Sequence, residues 1–407
     1  MTDLARRLGT FDATAIGLGS MLGAGVFAVF APAAASAGAW LPLAILVAGF
    51  VAYCNAAASA QLAAAYPSSG GTYVYGRERL GPWWGFTAGW GFVVGKTASC
   101  AAMALTFASY VAPGYAKPVA VAAVVVLVAV NLRGITRTAL VTRILLAVVL
   151  CLLLLIIILS WVDRPVTVDS SRMVVGPLDV LQAAGFLFFA FAGYARIATL
   201  GEEVREPRRT IPRAIVGALA CTLVIYLAVG LTLLHTLGPQ RLSRSKAPLA
   251  DALDPQWTVL VTIGAAAASL GALLALITGV GRTTLAMARE QDLPHWLAAV
   301  HPRFAVPHRA ELAVGAAVSV LVLATDLRAV IGFSSFGVLV YYAVTNLSAA
   351  TQTGTDRRWP RPLNIVGLAG CLLLAATLPL TSVLVGLAVF AVGLTGRAIK
   401  VRVGPAD

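Results

Sequence analysis

Charge is what this 407-residue sequence lacks most, with only 12% Asp, Glu, Lys or Arg. Soluble domains carry about 25%. Set against 59% hydrophobic residues and a mean hydropathy of +0.87, that shortage excludes a soluble globular protein and a disordered chain. Cysteine is also scarce. Cys54, Cys100, Cys151, Cys221 and Cys371 all sit in apolar blocks with no CxxC pair, which excludes a disulfide scaffold and reads as small buried hydrophobes. No HExxH, GxSxG or Walker pattern is present, so neither an enzyme nor a cofactor is expected. His295, His301 and His308 share one loop, but their spacing matches no common metal motif, so no metal is expected.

What the sequence does have is long apolar blocks parted by short polar islands. One membrane-spanning helix needs about 20 apolar residues. Twelve such blocks occur, near 12–37, 40–65, 83–111, 114–132, 139–161, 178–200, 211–236, 257–287, 310–325, 329–350, 363–379 and 381–396. In lipid a free backbone amide has no partner, so these segments are expected to be helices. The net charge of +13 does not point to nucleic acid, because the basic residues lie scattered in short loops. With the N-terminus inside, 21 of them fall in inner segments and 7 in outer ones. That asymmetry places both termini in the cytoplasm and the chain in the plasma (inner) membrane. Arg6, Arg7 and the apolar run after them imitate a signal peptide, but the run is too long, is broken by glycines and opens a series of further spans. Asp12 is read as the N-cap of the first helix.

Two spans are not plain Leu/Val/Ala runs. The first holds Gly17, Gly19, Gly23 and Gly25, four glycines in nine residues. Each weakens a helix by about 1 kcal/mol relative to alanine, so this span is expected to unwind near mid-membrane. Gly19 and Gly23 also fit close helix packing, and that alternative stays open on the first span alone. The sixth span, Gly185 to Arg196, repeats the feature with Gly193 among aromatics. The two spans hold equivalent places in runs of five helices. Paired interruptions in corresponding halves point to a transporter site at the interface of inverted repeats.

From Ser20-Met21-Leu22-Gly23-Ala24-Gly25-Val26-Phe27, from Phe191-Ala192-Gly193-Tyr194 followed by Gly201 to Pro212, from Arg282 to Pro294 (RTTLAMAREQDLP), and from Tyr66-Pro67 with Gly70-Gly71-Thr72-Tyr73, the chain resembles the amino acid–polyamine–organocation superfamily of permeases. The resemblance implies an all-α membrane protein of twelve transmembrane helices. Residues 1–162 form the first inverted repeat, 163–350 the second, and 351–407 two peripheral helices with a cytoplasmic tail. It implies a substrate carboxylate on backbone N–H groups at Leu22, Gly23, Ala24 and Gly25, and an α-ammonium on carbonyls at Met21, Phe189, Ala190 and Ala192, beside Gly193. Phe189 matches an aromatic lid, with a core or lipid-facing aromatic as the alternative.

The sequence departs from the pattern at two places. Proton-coupled relatives often carry a lysine in the fifth helix, and the matching position here is Val149. The residue just after the sixth-helix Gly-Tyr pair, often an acid, is Ala195. Lys96, about 20 Å along the third span from Trp83, is the substitute coupling candidate, since intramembrane lysines are functional by default. A structural lysine held by unwound carbonyls is the competing reading. Arg196, Glu202 and Glu203 are gate candidates, with a solvated loop network as the alternative. The expected activity is secondary transport of an amino acid by alternating access. It is expected to be proton-coupled or an exchange, with a small amino acid or amine substrate, H+ and the lipid bilayer as partners and no nucleic acid. The small Ala24, Ala190 and Ala192 favour a neutral substrate. A polyamine or organic-amine antiporter, and a membrane sensor that no longer cycles, are the alternatives.

Overall fold

A chain this apolar must satisfy its backbone within each segment, and it does so with helices. The computed structural model describes residues 8–23, 25–66, 70–134, 139–162, 174–198, 204–354 and 357–403. Among these residues the regular elements are all helical, apart from an isolated bridge between Leu8 and Val204. The helices are α1 (Thr10–Met21), α2 (Gly25–Ala28), α3 (Phe30–Ala37), α4 (Leu41–Ala65), α5 (Thr72–Leu80) and α6 (Pro82–Val111). Next come α7 (Ala116–Leu132), α8 (Ala139–Val162), α9 (Pro177–Phe191), α10 (Ala195–Ala198), α11 (Pro207–Arg244) and α12 (Pro248–Asp251). The chain continues with α13 (Thr258–Arg289), α14 (His308–Ala324), α15 (Leu327–Ala350), α16 (Arg361–Thr377) and α17 (Leu380–Val403).

Ten helical stretches among the described residues are long and apolar enough to cross a membrane. The blocks expected at 310–325 and 363–379 are also helical, as α14 and α16, but each has 17 residues. At 1.5 Å per residue, each spans only about 25 Å, short of a hydrocarbon core of about 30 Å.

The spans expected to be broken, first and sixth, begin in the same way. Gly9 precedes α1 and its N–H donates to Asp12 Oδ2 at 3.2 Å. Gly176 precedes α9 and its N–H donates to Asp179 Oδ2 at 2.8 Å. Asp12 therefore lies three residues inside the helix and reaches back to the cap position. Its carboxylate is also paired with Arg143 of α8.

Small residues decide which helices sit closest. A Cβ on Gly337 of α15 would meet Gly91 O and Gly95 Cα of α6 at 3.0 Å. These glycines let the two backbones touch, as in other membrane bundles. Ser99 and Ser334 share a 2.6 Å hydrogen bond across the same seam. α6 also packs on α13, and α4 packs on α9 and α11, so the interrupted spans are held within the bundle.

Candidate functional site

α1 stays helical to Met21 and ends where glycines accumulate. The Leu22 N–H donates to Leu18 O at 2.7 Å and closes the last turn. Helix resumes at Gly25. Bonds from Val29 N–H to Gly25 O and from Ala33 N–H to Val29 O, each 3.1 Å, carry the ladder through a bend at Val29. The first span is thus two half-helices, 10–21 and 25–37, joined across 22–24. Ala24 lies outside the described residues.

The sixth span behaves differently. α9 is regular through Phe191, Ala192–Tyr194 tighten into a 3-10 turn, and α10 follows for four residues. A 3-10 turn inside a span often marks a hinge or strain.

The two interruptions touch. A Cβ on Gly193 would lie 2.6 Å from the carbonyl carbon and oxygen of Ser20. One on Gly25 would lie 2.8 Å from Ala190 Cβ and 2.9 Å from its Cα. Neither contact tolerates a side chain, because backbone or a neighbouring Cα stands in the way. Gly23 presses on α13 in the same manner, with Ala272 Cβ 2.7 Å from where its Cβ would be.

Tyr226 of α11 joins the breaks. Its hydroxyl lies 2.5 Å from Met21 O and 3.1 Å from Ala190 O, so one proton serves two carbonyls. Lys96 of α6 donates from Nζ to Ala192 O at 3.4 Å. Tyr110 of α6 donates to Phe27 O at 3.2 Å. Met21, Ala190 and Ala192, expected to offer carbonyls, are therefore gathered at one place, with side-chain donors on all three.

Other expectations change. The Leu22 N–H is not free for an anion, because the last turn of α1 uses it. Phe189 sits inside regular helix, three residues before the turn, with its side chain buried. Arg196 is half-buried in α10. Glu202 and Glu203, its expected gate partners, lie outside the described residues. Val149 lines a cavity of about 20 Å³ with Gly19, Leu22, Gly23, Thr142, Leu145, Leu146 and Ala268. That is room for about one water, in an apolar-sided crevice between α1, α8 and α13. A larger cavity of about 450 Å³, lined by Leu237, Arg241, Ala250, Asp251, Leu253, Pro255 and Thr258, contains none of the expected site residues.

A charged cluster that sequence reading missed ties three distant segments together. Asp292 accepts from the Tyr73 hydroxyl at 2.8 Å, pairs with Arg77 at 3.5 Å and is bonded by Arg397 of α17. The Arg397 guanidinium also lies 5.1 Å from the Trp83 ring centre and 4.9 Å from that of Phe86. Burial, reinforced by the Asp292 carboxylate, pushes the Tyr73 hydroxyl above the usual tyrosine range. The only local hint was two acids inside RTTLAMAREQDLP.

Comparison with known proteins now decides the family. A family model described as amino acid permease matches residues 8–396. The chain belongs to the amino acid permease family. An uncharacterized transporter of Mycobacterium tuberculosis (strain ATCC 25618 / H37Rv) is 58% identical, over 98% of this chain and 92% of its own length. The methylthioribose transporter of Bacillus subtilis (strain 168) is 28% identical over 75% of this permease and 72% of its own length. Cationic amino acid transporter 7, chloroplastic, of Arabidopsis thaliana is 26% identical over 88% and 68%. This permease is accordingly a multi-pass membrane transporter, and its two touching breaks are its candidate substrate site.

Proposed function

We propose that this permease is a secondary transporter of amino acids in the plasma membrane, working by alternating access around the meeting point of its first and sixth spans. The observation that carries the reading is backbone contact between two interrupted helices: Gly193 on Ser20, and Gly25 on Ala190. Discontinuous helices that face each other near mid-membrane are how transporters present main-chain dipoles to a polar substrate. Carbonyls of Met21 and Ala190, which meet only the neutral Tyr226 hydroxyl, suit an α-ammonium, and N–H groups near Gly23 and Gly25 suit a carboxylate. In this reading twelve helices make two inverted five-helix repeats, 1–162 and 163–350, with α16 and α17 peripheral and both termini cytoplasmic. Arg196, Glu202 and Glu203 close the inner side. The relatives' names divide between cationic amino acids and methylthioribose, so family membership alone fixes no substrate.

Energy comes from an ion gradient or from exchange. Lys96 is the coupling candidate, as the one charged side chain of α6, held on a carbonyl of the sixth-span turn. Beside it on α6 lies the Cys100 thiol. Proteoliposomes test the reading. Saturable, stereoselective uptake with counterflow is expected of a carrier, whereas binding without flux indicates a sensor. A Lys96→Met variant that keeps the wild-type pH profile removes the coupling role.

A further inference from the structure

We propose that Lys96 sets the charge of the cargo, so that the site takes carboxylate-bearing substrates of zero or negative net charge and rejects cationic amino acids and polyamines. This rests on the amino acid reading above and narrows it.

The charge inventory around the breaks is lopsided. No charged residue occurs from Ala13 to Gly76, from Val180 to Ala195, or from Pro255 to Gly281. Between Arg79 and Lys117 the sole charged residue is Lys96. The spans packed around the two interruptions therefore bring only positive charge near that depth, Lys96 and, one turn beyond Ala192, Arg196. Lys96 is only 8% exposed. One of its three ammonium donors reaches Ala192 O at 3.4 Å. Among the described residues no other acceptor meets Nζ, and no carboxylate lies within ion-pairing distance. The next residue, Gly193, rests on the Ser20 backbone, so the ammonium stands beside the point where the interruptions join.

Groups on the neighbouring elements do not balance it. Cys100 on α6 is a thiol, and α15 offers Ser334, Ser335, Tyr341 and Tyr342. Tyr194 lies in the sixth-span turn. Glu311 on α14, which also packs on α6, faces Gly281 and Pro307 and feels Arg282. A buried charge is costly unless it is paired. A substrate carboxylate at the interruptions offsets the Lys96 charge and can accept its remaining donors, while a cationic side chain or second amine, added to the α-ammonium, leaves like charge uncompensated at low dielectric. Discrimination here is a built-in repulsion as much as an attraction.

The test is a thermal-shift and proteoliposome competition panel on the full-length protein with glutamate, aspartate, leucine, alanine, arginine, lysine and putrescine. The expected wild-type result is stabilisation and competition by acidic or neutral members only. Lys96→Met should weaken the best acidic or neutral ligand about tenfold and admit arginine at least tenfold better, while Lys96→Arg keeps the wild-type order. Arginine or putrescine binding the wild type as well as the best ligand overturns the proposal. So does an unchanged order in Lys96→Met. A panel in which no amino acid or amine binds overturns the underlying amino acid reading instead. The wild-type order alone is decisive if a variant does not fold.

Discussion

The first span breaks where four glycines crowd into nine residues, whereas the sixth tightens at one glycine set among aromatics. In the first, the hydrogen-bond ladder stops at Leu22 and restarts at Gly25, as low intrinsic propensity dictates. In the sixth, a 3-10 turn forms and outside donors hold the carbonyls around it, Tyr226 on Ala190 and Lys96 on Ala192. One break is written in local composition. The other lacks that local glycine density and depends on its partners, and although Tyr226 also bonds Met21 O at the first break, the contrast in composition says that the two will respond differently to substitution.

Gly193→Ala should have the largest effect. The new methyl would overlap the Ser20 carbonyl at 2.6 Å, and overpacking against backbone costs about 3 kcal/mol. Loss of the folded fraction in size-exclusion and thermal unfolding is the expected readout. Full yield with normal melting would mean that the spans do not touch there. Tyr226→Phe comes next. It removes the hydroxyl shared by Met21 O and Ala190 O, and leaving buried acceptors unpaired costs about 1–3 kcal/mol. A lower melting temperature with impaired flux is expected, and wild-type behaviour in both would show that the link is dispensable.

Much of this was legible in the sequence, for physical reasons. Glycine density announced the first break, and a lone lysine in a span announced itself as unusual. Tyr226 did not, because a tyrosine in a span carries no pattern until tertiary packing aims its hydroxyl at two carbonyls. The cap on Leu22 was equally hidden, since a helix end can close its own last N–H. Asp292 and Arg397 are 105 residues apart in sequence, beyond the reach of any local periodicity. The blocks at 310–325 and 363–379 were legible as helices, α14 and α16, but apolar composition marks a helix without fixing how much of the bilayer its 17 residues cross.

The smaller predictions sharpen the contrast. Gly23→Ala should destabilise by about 1–2 kcal/mol, since its methyl would approach Ala272 Cβ at 2.7 Å, a side-chain contact with some freedom to adjust. Gly19→Ala, in the same glycine-rich run, should do the opposite. Its nearest neighbour would be Thr142 Cγ2 at an ordinary 3.5 Å, and replacing a helical glycine gains about 0.5–1 kcal/mol. A raised melting temperature for Gly19→Ala with intact ligand binding would separate glycines that loosen α1 from glycines that admit a neighbour. A lowered one would put Gly19 in the second group.

Hydrogen–deuterium exchange with and without an amino acid that stabilises the protein tests the substrate site most directly. Slowed exchange concentrated at residues 22–26 and 189–194 is expected, because a bound zwitterion engages the main chain at both interruptions. Protection that bypasses these segments and gathers around the Arg241–Asp251 cavity would contradict the account.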